Sequence, residues 1–385
     1  MSRSNMFPLR WLATAWIAAV LSLSARPAWS DDDGMKLSLS GFANLTVAKV
    51  LSGKQGTYQQ WNCPCTIQNW EYVGVYEQSK GWQADQESLV GMQGTLSVND
   101  ALSGTVQVLS RPNAYSYRPS VDWAYVSYAL NGEWTAQLGR KRIPLYYYSD
   151  FLYIGTAYPW VRPAPDVYGW PIYAYDGANL AYSGSMGAGS WTLEANLWAG
   201  SFNTNDDAYD TRIYFTLPTD EAWRDIGGGY ATISDGEWSV RFMLMTFKDL
   251  QKTHNADGSI TVNLDNYRTT IGAFSLNYDG RHFIMRSEFN RFQQAVSGYT
   301  YNYYLAGGGY KQGPWTAIYT LSHYITSLNP FGSPIEGRRT QTLAVRYDLS
   351  KNVALKAQYD ISVDESKYNF FGNSNLMSFA VQSSF

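Results

Sequence analysis

The chain has 385 residues with 33 Gly, 31 Tyr and 15 Trp, and only 16% of it is charged, against roughly 25% in ordinary soluble domains. Its formal net charge is −3, and removing residues 1–30, which carry Arg3, Arg10 and Arg26 and no acid, leaves −6; that excludes a globally basic nucleic-acid binder. Tyr and Trp in this excess suit surfaces where one end of a ring is dry and the other wet, in a membrane interface or an aromatic-rich carbohydrate-binding β-protein.

Arg3 and Arg10 give the start of the chain a positive charge, and residues 11–23 form an apolar run. Ala28-Trp29-Ser30 then places small residues at the two positions a signal peptidase reads. The run is shorter than the roughly 20 residues of a membrane anchor. A cleaved signal peptide over 1–30 is therefore expected, with residues 31–385 forming one domain. Cys63-Pro64-Cys65 holds the only thiols. Two cysteines cannot complete a zinc site, which takes four ligands. They read as a pinched loop tip, or as a link to another molecule. No metal or cofactor is expected.

From residue 36 onward the chain alternates apolar and polar residues in segments separated by turns. Short turns fall at Asn99-Asp100, Asn131-Gly132, 187–189, 234–236, Asp279-Gly280, 312–314 and 350–352, each holding the Gly, Asn, Asp or Pro that reversals require. Long connections fall at about 51–85, 111–119, 143–173, 203–222, 249–264, 295–299, 325–338 and 363–372. Sixteen strands result: 36–50, 86–98, 101–110, 120–130, 133–142, 174–185, 190–202, 223–233, 237–248, 265–278, 281–294, 300–311, 314–324, 339–349, 352–362 and 373–385. Most match the roughly 9–11 residues of a tilted membrane strand. An even count lets the first and last strands pair and leaves no open edge. The sequence thus predicts an all-β fold, an antiparallel transmembrane β-barrel with short turns at one end and long loops at the other.

The alternation also assigns faces. Val353, Leu355, Ala357, Tyr359 and Ile361 read as lipid-facing, with Lys356, Gln358 and Asp360 in the lumen. By the same parity Arg241, Arg286, Glu288, Asn290, Arg346, Glu194 and Asn196 face inward, opposite Phe242, Leu244, Phe283, Phe289, Leu343 and Leu197. A charge at mid-membrane on the lipid face costs about 2–4 kcal/mol, which enforces this sorting. Sixteen strands enclose more space than their side chains fill, so an aqueous channel is expected. Arg140 and Arg142 share the lipid-facing parity and are expected at the membrane boundary, or turned inward where their strand breaks.

The last strand runs Met377, Phe379, Val381, Ser383, Phe385 on one face. It resembles the closing strand of Gram-negative outer-membrane barrels, whose terminal Phe is part of the signal read by the barrel assembly machinery. The whole layout resembles the general diffusion porins, in which the third external loop folds into the barrel and narrows the pore. Here that loop is 143–173, stiffened by five prolines and rich in rings. The resemblance implies loop acids facing wall bases: Asp150, Arg162 and Asp166 meeting Lys141, Arg241, Arg286 and Arg346 across a constriction. The other reading of these residues is that some only hold the loop or sit at a rim. It also implies a homotrimer among outer-membrane lipids and lipopolysaccharide, passing small hydrophilic solutes passively.

The inward bases Lys141, Arg241, Arg286, Arg346 and Lys356, set against Glu194, Glu288 and Asp360, lead to an expected weak preference for anions. Two rivals remain. One is a solute-specific channel whose loop rings stack on a sugar or aromatic acid. The other is an outer-membrane lipid hydrolase using His323, which shares parity with lipid-facing Tyr319 and Leu321. No H-E-x-x-H or nucleophile motif is present, so no enzyme is expected. No plug precedes the first strand, which argues against an energised receptor.

Overall fold

The computed structural model describes residues 29–30, 34–56, 61, 63–69, 71–112, 118–187, 189–328, 334–367 and 371–385. Residues 1–28 of the expected signal lie outside the described residues. Among the described residues a barrel of sixteen strands forms: β1 (Lys36–Gln55), β2 (Leu89–Ser97), β3 (Leu102–Ser110), β4 (Ser120–Ala129), β5 (Trp134–Arg142), β6 (Ala174–Ser185), β7 (Thr192–Thr204) and β8 (Thr219–Ser234) make the first half. The second half is β9 (Trp238–His254), β10 (Ile260–Asp279), β11 (Phe283–Gln294), β12 (Tyr299–Gln312), β13 (Trp315–Leu328), β14 (Pro334–Ser350), β15 (Val353–Asp364) and β16 (Gly372–Ser384). Each strand pairs antiparallel with its sequence neighbour, and β16 pairs with β1, so the sheet is closed.

The closure is sealed by the last residue. Gly41 N–H donates to the Phe385 carbonyl at 2.8 Å, and Phe385 N–H donates back to Gly41 at 2.9 Å. The Phe385 ring lies where a side chain at 41 would stand: an added Cβ would meet it at 2.6 Å. Glycine at 41 is what lets the ring cross the seam.

Three of the short turns share one device. Asn99, Asn131 and Asp235 each accept, through the side-chain oxygen, two backbone N–H groups from residues two and three positions on. Rings crowd that end of the barrel in pairs on the outer surface, Trp134 with Tyr182, Trp238 with Tyr278 and Trp315 with Tyr347, at centroid distances of 4.6–4.9 Å. Such a belt fits a membrane–water boundary. Above it the sorting of faces follows the sequence: Leu197, Phe242, Leu244, Phe283, Leu343 and Leu355 are exposed outward, and Arg241, Arg286, Glu288, Lys356, Gln358 and Asp360 are buried within.

The expected strand ends are short at the long-loop end. β9 runs to 254 rather than 248, β10 begins at 260 rather than 265, and β14 begins at 334 rather than 339. Beyond the bilayer edge the ladder needs only backbone hydrogen bonds, so polar residues such as Lys252, Thr253 and Asn263 continue it without alternation. The first long connection also carries its own hairpin, Cys65–Asn69 with Gly74–Glu77. Cys63 and Cys65 are joined to each other, and with Ile67, Val73 and Val75 they pack on Ile213 and Phe371 from two other loops. The barrel's apolar core lies in its lumen and is built largely from 143–173, which folds inside the wall.

Candidate functional site

Loop 143–173 enters from β5 and returns to β6, and most side chains between are buried. Five prolines keep it from a regular strand or long helix, and it makes only short turns: 3-10 turns at Ser149–Phe151 and Gly155–Ala157 and one α-helical turn at Pro165–Tyr168, with Pro at its start. The loop is therefore held by the wall, and the wall supplies the partners its backbone lacks. Lys356 Nζ donates to the carbonyls of Gly155, Tyr158 and Trp160, each at 2.6 Å. Arg346 donates to the carbonyls of Thr156 and Tyr158 at 2.8 and 3.0 Å. Gln358 accepts from Val161 N–H at 2.8 Å, and Gln382 donates to the Val161 carbonyl at 2.8 Å. Trp160 Nε1 donates to Thr320 Oγ1 at 2.9 Å.

Charged groups make the remaining anchors. Asp166 is fully buried, paired with Arg338 at 2.5 Å and accepting from Ser322 Oγ at 2.7 Å. Arg162 pairs with Glu87 at 2.5 Å and Asp360 at 3.3 Å, and donates to Ser378 Oγ at 2.9 Å. Glu288 accepts from Tyr147 N–H at 3.1 Å and from the Tyr168 hydroxyl. At the loop's root Arg142 turns inward, as a broken strand allows, to Asp122 at 2.6 Å and Glu71 at 3.3 Å. Arg140 stays outside, paired with Asp176 at 2.6 Å. The anchored loop covers the inner surface of β11–β16 and part of β1.

The opposite wall, β4–β9, is left facing one side of the loop. Asp150 stands on that side, half-buried, and no ion pair or hydrogen bond engages its carboxylate among the described residues. It lies within electrostatic reach of Lys141 on β5 and of the Tyr125, Tyr175 and Tyr230 rings on β4, β6 and β8. Lys141 donates to Gln137 at 2.6 Å, and Gln137 continues to Ser127 and Asn179 at 3.0 and 2.8 Å, a polar ladder down the wall. Arg241 on β9 stacks over Tyr230 at 3.6 Å and donates to the Tyr147 carbonyl at 3.2 Å, closing the ring where the loop touches the wall.

Of the seven residues singled out by sequence, Lys141, Asp150 and Arg241 stand on the side of the loop that faces β4–β9, Asp150 within electrostatic reach of Lys141 and, like Arg241, of Tyr230. Arg162, Asp166 and Arg346 are drawn into the loop's anchoring on the other side. Arg286 sits low in the barrel, bound to Asp279 beside a short turn and to the Tyr278 carbonyl at 2.9 Å. The pairing of loop acids with wall bases expected across the lumen occurs instead along the loop's seam, because a buried carboxylate such as Asp166 needs a partner in contact. Arg338, Glu87 and Glu71 were not singled out. Arg338 shares parity with Arg346 but falls in the expected connection 325–338, which β14 in fact spans from Pro334; Glu71 lies in the first long connection, where no period marks it, and Glu87 at the start of the expected strand 86–98, two residues before β2 begins.

His323 on the outer face pairs with Glu365 at 2.9 Å, and Glu365 also pairs with Arg339 at 3.4 Å. Gly228 and Gly307, within strands β8 and β12, make room for Trp198 and Thr320.

No family model matches the chain, and no curated protein matches it. Solved structures do. The outer-membrane channel DcaP of Acinetobacter baumannii superposes with a TM-score of 0.60 at 12% identity, over 93% of this chain and 99% of that one. OmpF of Salmonella typhi, in a complex with daunomycin, gives 0.55 at 13% over 92% and 99%. The anion-selective porin of Comamonas acidovorans gives 0.51 at 13% over 91% and 100%. At such identity the likeness is one of fold, and the fold is that of the sixteen-stranded outer-membrane porins, with the third loop folded into the barrel.

Proposed function

We propose that the chain is an outer-membrane porin: a water-filled channel through which small hydrophilic solutes and ions diffuse passively. The observation that carries this is the unpaired Asp150 on the free side of an anchored loop, within reach of Lys141 and near the Tyr230 ring over which Arg241 stacks. Acid and base facing each other across a narrow passage set a transverse field that orients dipolar solutes and selects by sign. Two bases against one acid give a weak preference for anions, the selectivity named for the Comamonas neighbour.

Export through a cleaved 1–30 signal, delivery by the assembly machinery through Phe385, and a homotrimeric state complete the proposal. A second copy would meet the smooth outer face of β2–β5, where Met92, Val106, Val126 and Leu138 are exposed. The four tyrosines around the passage, Tyr125, Tyr147, Tyr175 and Tyr230, favour one refinement, a binding site for a ring-bearing solute such as a sugar. The hydrolase reading is set aside on the company His323 keeps, a carboxylate and an arginine rather than a nucleophile.

The test is reversal potential across a salt gradient in planar bilayers. The wild type should sit slightly on the anion side, Asp150→Asn should move further toward anions, and Arg241→Ala with Lys141→Met should move toward cations. Potentials unmoved by all three substitutions would remove these residues from the constriction. Conductance that saturates with one added sugar would favour the solute-specific form.

A further inference from the structure

Where β16 closes on β1, loop 143–173 and the hairpin of the first long connection leave an enclosed cavity, with about 50 Å³ open to the centres of water molecules. Asn44 on β1 and Gln382 on β16 stand directly opposite each other across the seam, and both line it. Their amide nitrogens are committed: Asn44 Nδ2 donates to the Tyr153 carbonyl at 2.9 Å, and Gln382 Nε2 to the Val161 carbonyl at 2.8 Å. That fixes which way each amide points, since a flipped amide would set oxygen against oxygen. The two amide oxygens are left with no partner among the described residues, in side chains only 7% and 1% exposed.

The other walls repeat the pattern. Gln68 lines the cavity from the hairpin, buried, and neither of its amide atoms has a partner among the described residues. Its neighbours hold it there: Thr66 donates to Ser374 Oγ at 2.7 Å, and the Asn69 side chain accepts from Tyr72 N–H at 3.0 Å. The Tyr153 hydroxyl, on loop 143–173, is buried and unpaired as well. Four side chains, from both seam strands, the hairpin and the loop, therefore bring unpaired polar atoms to one small space. Burying such groups without partners is costly, and native interiors leave few of them.

We infer that this cavity binds a cluster of about three water molecules, at roughly 10–15 Å³ each, and that the cluster bridges Gln68 of the hairpin to the loop and the seam. The two seam oxygens require donors and the Gln68 nitrogen an acceptor, and water supplies both. An ion does not fit the charge already present. Arg162 lies between Glu87 and Asp360, Arg142 and Arg111 are paired with Asp122 and Glu71, and Lys356 makes a fourth base against these four acids. One more charge here would be buried without a counter-charge. An apolar guest would leave every one of the unpaired atoms as it is. Asp150 does not line the cavity, so the inference is independent of what crosses the channel.

The test exposes the folded full chain to synchrotron X-rays in heavy-oxygen water and maps oxidised side chains by mass spectrometry. Radicals formed from bound waters label what lies against them even when it is buried. Tyr153 should be oxidised severalfold faster than Trp160, which is fully buried and whose ring nitrogen is already bonded to Thr320. Equal inertness of the two would overturn the site with the protein unaltered. Gln68→Leu gives a second measurement. A glutamine bonded to nothing exchanges for leucine without loss, whereas one bonded to water leaves its waters short of a partner. The variant should therefore oxidise Tyr153 roughly twofold more slowly and unfold at a lower temperature. An unchanged oxidation rate or a raised unfolding temperature would contradict the bridge. Exchanging sodium and potassium for N-methylglucamine at equal ionic strength should leave the wild-type unfolding temperature where it was, and a fall would show that the guest is a small cation instead.

Discussion

Asp150 and Asp166 lie sixteen positions apart on one loop, and their surroundings give them different work. Asp166 is fully buried against Arg338, so Asp166→Ala leaves a guanidinium uncompensated and should cost about 3–5 kcal/mol. Asp150→Asn should leave stability unchanged and move only ion selectivity. Thermal unfolding of the two variants in detergent separates these roles; equal losses would show that Asp150 is an anchor as well. Outside the membrane, burial in the loop between β7 and β8 pushes the Asp207 carboxyl up to about 6, against pull-down from the N–H groups of Asp210 and Tyr209. A raised carboxyl binds more protons folded than unfolded, so the local structure gains as pH falls from about 6 toward 4, by an amount on the order of 1–3 kcal/mol. Limited proteolysis at 205–218 should be slower at pH 5 than at pH 7.5. The reverse order would show that this aspartate is hydrated.

At the scale of elements, the strands were legible because a period of two survives wherever one side of a segment meets lipid and the other water. Strand 15 shows this: Leu355 and Ile361 outside and Lys356, Gln358 and Asp360 inside follow the sequence residue by residue. The loop's contacts were not legible, since Arg162 finds Glu87 across 75 positions and Arg338 finds Asp166 across 172. No local pattern encodes such pairs; closing the barrel creates them. Lys356 was recognised as inward-facing, but its three carbonyl partners follow only from the path of the loop. Lys356→Met would leave the Gly155 and Trp160 carbonyls without this donor, with Tyr158 still held by Arg346, loosening 155–160. Open-channel current should become noisier and closures should occur at lower voltage, and a quiet trace would place the loop's hold elsewhere. At the seam, Gly41→Val should cost about 1–3 kcal/mol by driving a side chain into the Phe385 ring, read as a lower temperature for loss of the compact gel mobility.

For the whole molecule, the inward loop fills the lumen along β11–β16 and leaves the side facing β4–β9 uncovered. The chain's two cysteines are joined to each other, so introduced thiols can be read cleanly. Ser127→Cys on the open wall should react with a membrane-impermeant thiol reagent and reduce conductance, whereas Ser378→Cys, fully buried beneath Arg162, should be inert. The central claim, a water-filled passage narrowed by one inward-folded loop, is tested most directly by single-channel recording of the wild type beside a chain lacking residues 146–170. The wild type should form channels without any added solute, and the shortened chain should show a larger, less selective conductance. Silence from verified, inserted barrels, or a conductance unchanged by the deletion, would contradict it.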